Sequence, residues 1–485
     1  MLKRPSMDIY EQSQFYVFAN PVVSSDNTSV LYDGFTTFVN GTSTFTFMMV
    51  DGIVYFSMST AGDARNAQCL SASLLPPIHD IIVALNDAIA ISSAACGSDT
   101  ITCPSGDLFQ ATFGDATFII CASGSVGFTI YGSDLDISVE YLNSPVTITA
   151  PKLSDEAMLS CEKVAAPTSV SLTTLALLTG QPISSSSRRN LQSRRSTRLP
   201  APSCSCKSTP RACIFFHGLG SITERTTLQS SSDYFGDLSK NAPCCSSIKY
   251  AVLNTVAVPW TDATLQQKVC NFAIFVSSTS SSSTRNIADT IIVTHSMGGL
   301  MMAGALANGR CTFAASTTWV SLSAPMTGSM GSDYLQDACS GSNVFLQGVA
   351  NLVGQCPASN AVKMLAYENE TRSTSALNAA YVAARNAFQA NVDAAMCSND
   401  FSGLFSLDQA LYKLAGSVIR HKSNQNDGVV ESQSCAGGIA LSRFGTTYNN
   451  PFYLTRLNHA DTAFRHGDGL FANSQKPVKW FECLL

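Results

Sequence analysis

Apolar side chains recur in two different patterns along this chain, and the change of pattern divides it. In the first part, Phe35-Thr36-Thr37-Phe38-Val39, Thr44-Phe45-Thr46-Phe47-Met48-Met49-Val50 and Ile53-Val54-Tyr55-Phe56-Ser57-Met58 are short runs of β-branched and aromatic residues, the composition of strands. Asn40-Gly41 and Asp51-Gly52 separate them, and such dipeptides supply the positive φ angles of type I′ hairpins. Leu75 to Ala95 is a predicted helix after paired prolines, and Ala116 to Ala150 returns to strands. Residues 1–183 are therefore expected to form a separate α+β domain, an antiparallel sheet curved over one helix. The strands carry more Phe and Met than a one-sided sheet requires, which fits either a concave apolar pocket or ordinary core.

From residue 211 onward strands and helices alternate. Ala212-Cys213-Ile214-Phe215-Phe216, Lys249 to Ala257, Ile291-Ile292-Val293 and Trp319-Val320-Ser321-Leu322 read as strands, and Leu265 to Val276 reads as a helix. That alternation predicts an α/β fold with a doubly wound, mostly parallel sheet over 211–485. Between Met326 and Lys413 lies a long insertion rich in Ala, Gly and Cys, with helical patterning from Ser375 to Met396. Gly416-Ser417-Val418-Ile419-Arg420 reads as a short strand leading into a polar loop that ends in Asn426-Asp427-Gly428. Residues 184–210 hold a serine run, Arg188-Arg189, Arg194-Arg195 and several prolines without an acidic residue, the composition of a linker. The paired arginines fit either a processing site or a solvated basic linker.

Composition narrows the partners and the compartment. Residues 1–165 carry seventeen acidic against five basic residues, which argues against nucleic acid as a partner for that half; residues 212–485 carry seventeen of each sign. The long hydropathic stretch from Ile291 to Ala307 is interrupted by His295 and glycines, so no transmembrane segment is expected. Met1-Leu2-Lys3-Arg4-Pro5 runs into polar residues without the apolar core of a secretory leader. Seventeen cysteines outside C-x-x-C pairs nevertheless point to disulfides and a secreted or lumenal protein, and N-x-S/T sequons at Asn27, Asn40 and Asn369 agree. A cytosolic protein with many buried thiols is the alternative. Seventeen is odd, so at least one thiol is free or pairs between chains. Cys204-Ser205-Cys206 and Cys244-Cys245 are expected to pair elsewhere than within themselves, and no Cys or His pair has zinc-ligand spacing.

The candidate chemistry begins at Ile291-Ile292-Val293-Thr294-His295-Ser296-Met297-Gly298-Gly299, a β-branched run ending in a small-residue turn. A serine hydroxyl is a weak nucleophile and needs exposure on a sharp turn and a neighbouring base. Gly298 and Gly299 leave room beside Ser296. Upstream, the Ala212–Phe216 strand runs into His217-Gly218-Leu219-Gly220. Three histidines follow the serine: His421, His459 and His466. His459 sits in a loop after an extended stretch, His466 lies seven residues further on, and His421 precedes Asp427, a carboxylate on a loop past a strand end. His79, His217 and His295 read as structural or supporting groups, and Asp461 and Asp468 lie too close to His459 in sequence to orient it well.

These motifs in this order resemble the α/β-hydrolase family, its lipase and esterase branch above all, over about residues 211–481. Thr294 stands where the family's G-x-S-x-G has its first glycine. The resemblance implies Ser296 as nucleophile, Asp427 as orienting acid and His459 as general base, in the family's chain order. It implies an oxyanion hole from the amides of Leu219 and Met297, supported by His217, Gly218, Gly220 and Gly298, and a helical cap insertion at about 326–413; near the C-terminus, where the family places its base, His466 is the rival of His459. The implied reaction is hydrolysis of a lipid or acyl ester through an acyl-serine, with neither metal nor cofactor. A catalytically inactive binding or adhesion module, and an acyl thioesterase, are the alternatives. The first half resembles lipid-binding half-barrel domains of the ependymin and LolA-like group.

Overall fold

A computed structural model of the chain describes residues 1–60, 66–70, 80–104, 107–123, 126–153, 158, 161–183, 196–340 and 356–485. His79, the start of the predicted Leu75–Ala95 helix and linker residues 184–195 lie outside the described residues. The chain divides into two compact units, Met1–Ser203 with Gly469–Asn473, and Cys204–Asp468 with Ser474–Leu485.

The first unit is built on antiparallel pairing. One sheet runs in order through Val17–Val23, Ser29–Asn40, Ser43–Val50, Ile53–Thr60 and Asn66–Leu70, with Thr168–Ser169 added against Ser29–Asn40. Asp51 and Gly52 form a two-residue hairpin loop with φ of 52° and 78°, the pair of positive angles that the dipeptide predicts. At the preceding turn Asn40 pairs with Ser43, so the loop is Gly41-Thr42, one residue later than the Asn-Gly reading. A second sheet runs through Asp136–Glu140, Gly127–Gly132, Ala116–Ala122, Asp107–Phe113 and Ile89–Ile91. Ser196–Leu199, Ser93–Cys96 and Asp99–Thr100 make a third, so the single sheet over one helix is corrected to three sheets, with helices among the described residues at Asp80–Asn86 and Leu172–Thr179. The predicted helix to Ala95 ends at Asn86 because Ile89–Ile91 and Ser93–Cys96 are claimed by strand pairing. On one face of the first sheet Tyr10 stacks on Phe45 at 4.3 Å, and Phe38, Phe47 and Phe56 continue the row.

The linker expectation is corrected in part. Ser196–Leu199 is a strand paired in parallel with Ser93–Cys96, and Leu199 is buried among Ile91, Ala94, Leu108 and Ile119. Residues 204–210 belong to the second unit because Cys204 and Cys206 are bridged to Cys483 and Cys244.

The second unit is a six-stranded sheet, parallel throughout. Its strands are β1 (Arg211–Phe216), β2 (Cys245–Ala251), β3 (Thr290–His295), β4 (Thr318–Leu322), β5 (Ala394–Ser398) and β6 (Phe452–Thr455). The order is β2-β1-β3-β4-β5-β6. All of β3 is buried, as expected for a strand covered on both faces. Ile214, Phe216, Ile292 and Trp319 pack on one face with helices α1 (Ala263–Phe275), α2 (Met297–Ala307) and α3 (Ser375–Asn391). Cys213, Phe215, Ile291, Val293 and Leu322 pack on the other with α4 (Pro477–Leu484) and the rings of Phe235 and Tyr448.

Two further expectations give way to packing. The 326–413 cap contains α3 and β5, which belong to the sheet layer; among the described residues, which leave out 341–355, the other helices wholly within it are Met330–Ser340 and Asn360–Lys363. The stripe Leu377, Tyr381, Ala384 and Phe388 is buried in the same core as α2, and the short strand that follows, Ala-Ala-Met-Cys-Ser, carries no β-branched signal. The predicted strand at Gly416–Arg420 is the end of a helix, Leu407–Val418, whose Ala415 and the following Ile419 pack on Met330 and Tyr334.

Sixteen of the seventeen cysteines form eight disulfides, two in the first unit and six in the second, leaving Cys96. Such usage fits an oxidising, extracellular or secretory environment. Among the described residues no helix is long and apolar enough to cross a membrane.

Close approach of α2 to the sheet depends on Gly299, where a Cβ would lie 2.4 Å from Ala324 Cβ. Gly299→Ala is expected to destabilise the second unit by about 1–3 kcal/mol through overpacking, read as a lowered denaturant midpoint. An unchanged midpoint would mean that the helix shifts without cost.

Candidate functional site

The residues singled out from the sequence converge at the carboxyl ends of β1, β3, β5 and β6. β3 ends at His295, and the next residue, Ser296, has φ 55° and ψ −131° before α2 begins at Met297. A non-glycine residue in such a conformation costs about 1–3 kcal/mol and persists where the surroundings enforce it. Here Ser296 N–H donates to Leu322 O at 2.8 Å and Gly299 N–H donates to Ser296 O at 2.9 Å. Thr294 is completely buried, and its hydroxyl accepts from the Trp319 indole N–H at 2.9 Å, which accounts for a threonine at this position.

His459 follows β6. Its Nε2 lies 2.9 Å from Ser296 Oγ, and its Nδ1 lies 2.7 Å from Asp427 Oδ2. The other carboxylate oxygen of Asp427 accepts from the amides of Val429, at 3.0 Å, and Val430, at 2.7 Å. His459 N–H also donates to the Asp427 carbonyl at 2.9 Å, so backbone and side chain tie the two loops together. Burial pushes the Asp427 carboxyl up, but the His459 imidazole and the two amides outweigh it and hold the group below its ordinary value. An ionised carboxylate only accepts, so His459 Nδ1 carries the proton and Nε2 presents a lone pair to the serine hydroxyl. Ser296 and His459 are 7% and 9% exposed, and Asp427 is 1% exposed, so the array sits where the local dielectric strengthens its hydrogen bonds.

The His217-Gly218-Leu219-Gly220 loop after β1 lies against the serine. A Cβ on Gly218 would come 2.5 Å from Ser296 Cβ and 2.8 Å from Tyr234 Oη, so only glycine fits there. His217 Nδ1 pairs with the Gly218 carbonyl at 2.8 Å, and its Nε2 accepts from Leu253 N–H at 3.1 Å. Those two partners define a neutral ring, and burial lowers its pKa. Leu219 packs on Leu335, Ala358 and Val362, Met297 opens α2, and Gly220 has φ 119°. A Cβ on Gly298 would meet the carbonyl oxygen of Phe216 at 2.6 Å, so the start of α2 is pressed onto the end of β1.

Each of the three histidines after the serine pairs with a carboxylate at 2.7 Å: His421 with Glu431, His459 with Asp427 and His466 with Asp461. His459 is the one that also reaches Ser296. Burial raises the Asp461 pKa against the pull of His466, and Asp461 further accepts from Leu404 N–H, so that pair braces the loop after β6. Asp468 accepts from the Val478 and Lys479 amides at the start of α4. Sequence reasoning missed Tyr234, whose hydroxyl lies 2.7 Å from His295 Nδ1; no motif marks it, and it is 61 residues away.

No protein-family model and no curated protein matches the chain. Among solved structures, the mature form of a lipase from Bacillus licheniformis is similar over 53% of this chain and 87% of its own, with 17% identity and a TM-score of 0.35. Lipase 1 from Pelosinus fermentans is similar over 57% of this chain and 97% of its own, with 13% identity and a TM-score of 0.30. Similarities of this size do not establish a family.

The lowered Asp427 pKa has a definite sign. A carboxyl held below its unfolded value of about 3.9 contributes stability above that pH and loses it as pH falls through the lowered folded value. Thermal melts of wild type and Asp427→Asn are therefore expected to differ at neutral pH and to converge below about pH 4. A gap independent of pH would show that the Asp427 charge plays no part in folding.

Proposed function

We propose that this protein is a serine hydrolase of the α/β-hydrolase type that cleaves a carboxylic ester of a lipid or other acyl compound. The observation that carries the reading is the continuous array Ser296 Oγ, His459 Nε2 and Nδ1, Asp427 Oδ2, with successive separations of 2.9 and 2.7 Å at a strained strand-to-helix turn. As Ser296 Oγ attacks the ester carbonyl, His459 Nε2 takes the hydroxyl proton. Asp427 holds the ring in the Nδ1–H tautomer and stabilises the imidazolium. The oxyanion of the tetrahedral intermediate is received by the amides of Leu219 and Met297. The first amides of a helix have no intrahelical acceptor, which suits Met297 to that role. His459 then gives its proton to the departing alcohol, and water attacks the acyl-serine by the same route in reverse.

The apolar surroundings of Leu219 favour an acyl chain over a charged substrate, since Leu335, Ala358 and Val362 line that side of the loop. The eight disulfides favour the secretory route for the enzyme, and the exposed Asn27, Asn40 and Asn369 are suitable glycan acceptors. The first unit's aromatic sheet face suits an apolar ligand, as a separate role in lipid binding would require.

Wild type is expected to hydrolyse p-nitrophenyl esters of graded chain length and to be labelled by a serine-directed phosphonate. Ser296→Ala should abolish labelling and lower kcat on the order of 10⁴-fold or more, and Asp427→Asn should cost roughly 10³–10⁴-fold. A folded wild type that resists the phosphonate would instead indicate a binding module, and labelling that survives in Ser296→Ala would place the nucleophile elsewhere.

A further inference from the structure

Two side chains outside the Ser296, His459 and Asp427 array, the buried His295 and the partly buried Tyr234, connect the loops that carry it. Tyr234 Oη is 2.7 Å from His295 Nδ1. His295 Nε2 is 3.0 Å from the carbonyl oxygen of His459 and 3.1 Å from Thr462 Oγ1, while Thr462 Oγ1 donates to that same carbonyl at 2.9 Å. A carbonyl can only accept, so His295 Nε2 bears the proton and Nδ1 is left with a lone pair for the Tyr234 hydroxyl. The Tyr234 hydroxyl also packs against Gly218, where a Cβ would come within 2.8 Å of it. Donors therefore run in one direction: Tyr234 O–H to His295, His295 Nε2–H to the His459 carbonyl.

The surroundings hold this direction. The Arg465 guanidinium lies 5.0 Å over the Tyr234 ring and its Nε donates to the Tyr234 carbonyl at 2.8 Å. Burial, the main cause, keeps the phenol protonated by pushing its pKa up to about 12. The His295 and His459 rings are 4.6 Å apart. Burial first, then the charges on His459 and Arg465, with a smaller push from His217, hold His295 well below the ordinary histidine range. His295 can thus remain neutral beside a base that becomes cationic during turnover, where a second cation would oppose proton transfer.

We propose that Tyr234 and His295 are positioning residues, a directional hydrogen-bond relay that ties the Tyr234 segment, packed against Gly218, to the nucleophile turn and the backbone of His459 and holds them at their working separations. The proposal rests on the hydrolase reading for its kinetic consequence. Its structural content, the neutral Nε2–H tautomer of His295, can be read without turnover.

The test uses the full chain with ¹⁵N-labelled histidine. The His295 signals, assigned by their loss in His295→Gln, are expected to show the neutral Nε2–H pattern with no titration across the range where ordinary histidines change charge. An Nδ1–H pattern, or titration near the ordinary value, overturns the relay. In kinetics on p-nitrophenyl butyrate, Tyr234→Phe should lower kcat about ten- to a hundredfold with KM within about twofold, the size of loss that small misplacement of reacting groups produces. His295→Gln can offer an amide N–H to the His459 carbonyl and an oxygen to Tyr234, so it should retain most of the activity that His295→Ala loses. Adding Tyr234→Phe to His295→Ala should cost less than about twofold more, because one connection has already been cut. Losses that multiply, or a Gln variant no better than Ala, overturn the proposal; should His295→Ala not fold, the tautomer measurement and Tyr234→Phe decide it. A wild type that resists phosphonate but shows the Nε2–H tautomer refutes the hydrolase reading and leaves the relay as a structural tie, whereas a labelled wild type with the wrong tautomer refutes the relay alone.

Discussion

A nearly buried imidazole must have both ring nitrogens satisfied, and at His459 the two partners come from residues 163 and 32 positions away in the chain. Its backbone is held as well, the amide by the Asp427 carbonyl and the carbonyl by His295 and Thr462. One residue therefore joins the turn after β3, the loop before Ser432 and the loop after β6. Misplacing any of these would leave a polar group buried and unpaired, at about 1–3 kcal/mol each. The Ser296 backbone is held in its strained conformation separately, by the Leu322 carbonyl and the Gly299 amide.

The sheet makes that convergence possible. Because every strand runs the same way, the segments leaving β1, β3, β5 and β6 emerge at one edge, where Gly218, Ser296 and His459 meet and Ser398 Oγ accepts from Leu457 N–H. The Cys397–Cys435 disulfide links the end of β5 to the short helix Ser432–Ala436 and encloses the Asp427 loop in a span of 38 residues. In the chain-entropy account, closing a loop of that length stabilises the folded state by about 4 kcal/mol. Covalent closure and hydrogen bonding thus limit the same loop, and the carboxylate that faces His459 is held from two directions.

Buried polar groups around the array follow a consistent logic. His217 and His295 are both uncharged, each with one nitrogen donating to a carbonyl and the other accepting. His421 and His466 instead face carboxylates of their own. The environment separates histidines with neutral supporting roles from one in contact with a hydroxyl and a carboxylate together, a distinction that residue type alone does not make.

Local chemistry was enough to mark the elbow at Ser296, the glycine-rich turn after Phe216, the Asp51-Gly52 hairpin and the order of serine, acid and histidine, because each depends on backbone freedom or side-chain chemistry within a few residues. The preference for His459 over His466 also came from chain position, and the structure brings His459, not His466, to the serine. What sequence could not decide were features set by partners distant in the chain. Gly416–Arg420 reads as extended until Ala415 and Ile419 find Met330 and Tyr334. Ser196–Leu199 reads as linker until it pairs with Ser93–Cys96, about a hundred residues earlier. The cysteine pairings and the Tyr234 contact with His295 are likewise products of packing. Sequence periodicity records which side of an element is apolar, whereas the identity of the surface that covers it exists only once the chain has folded.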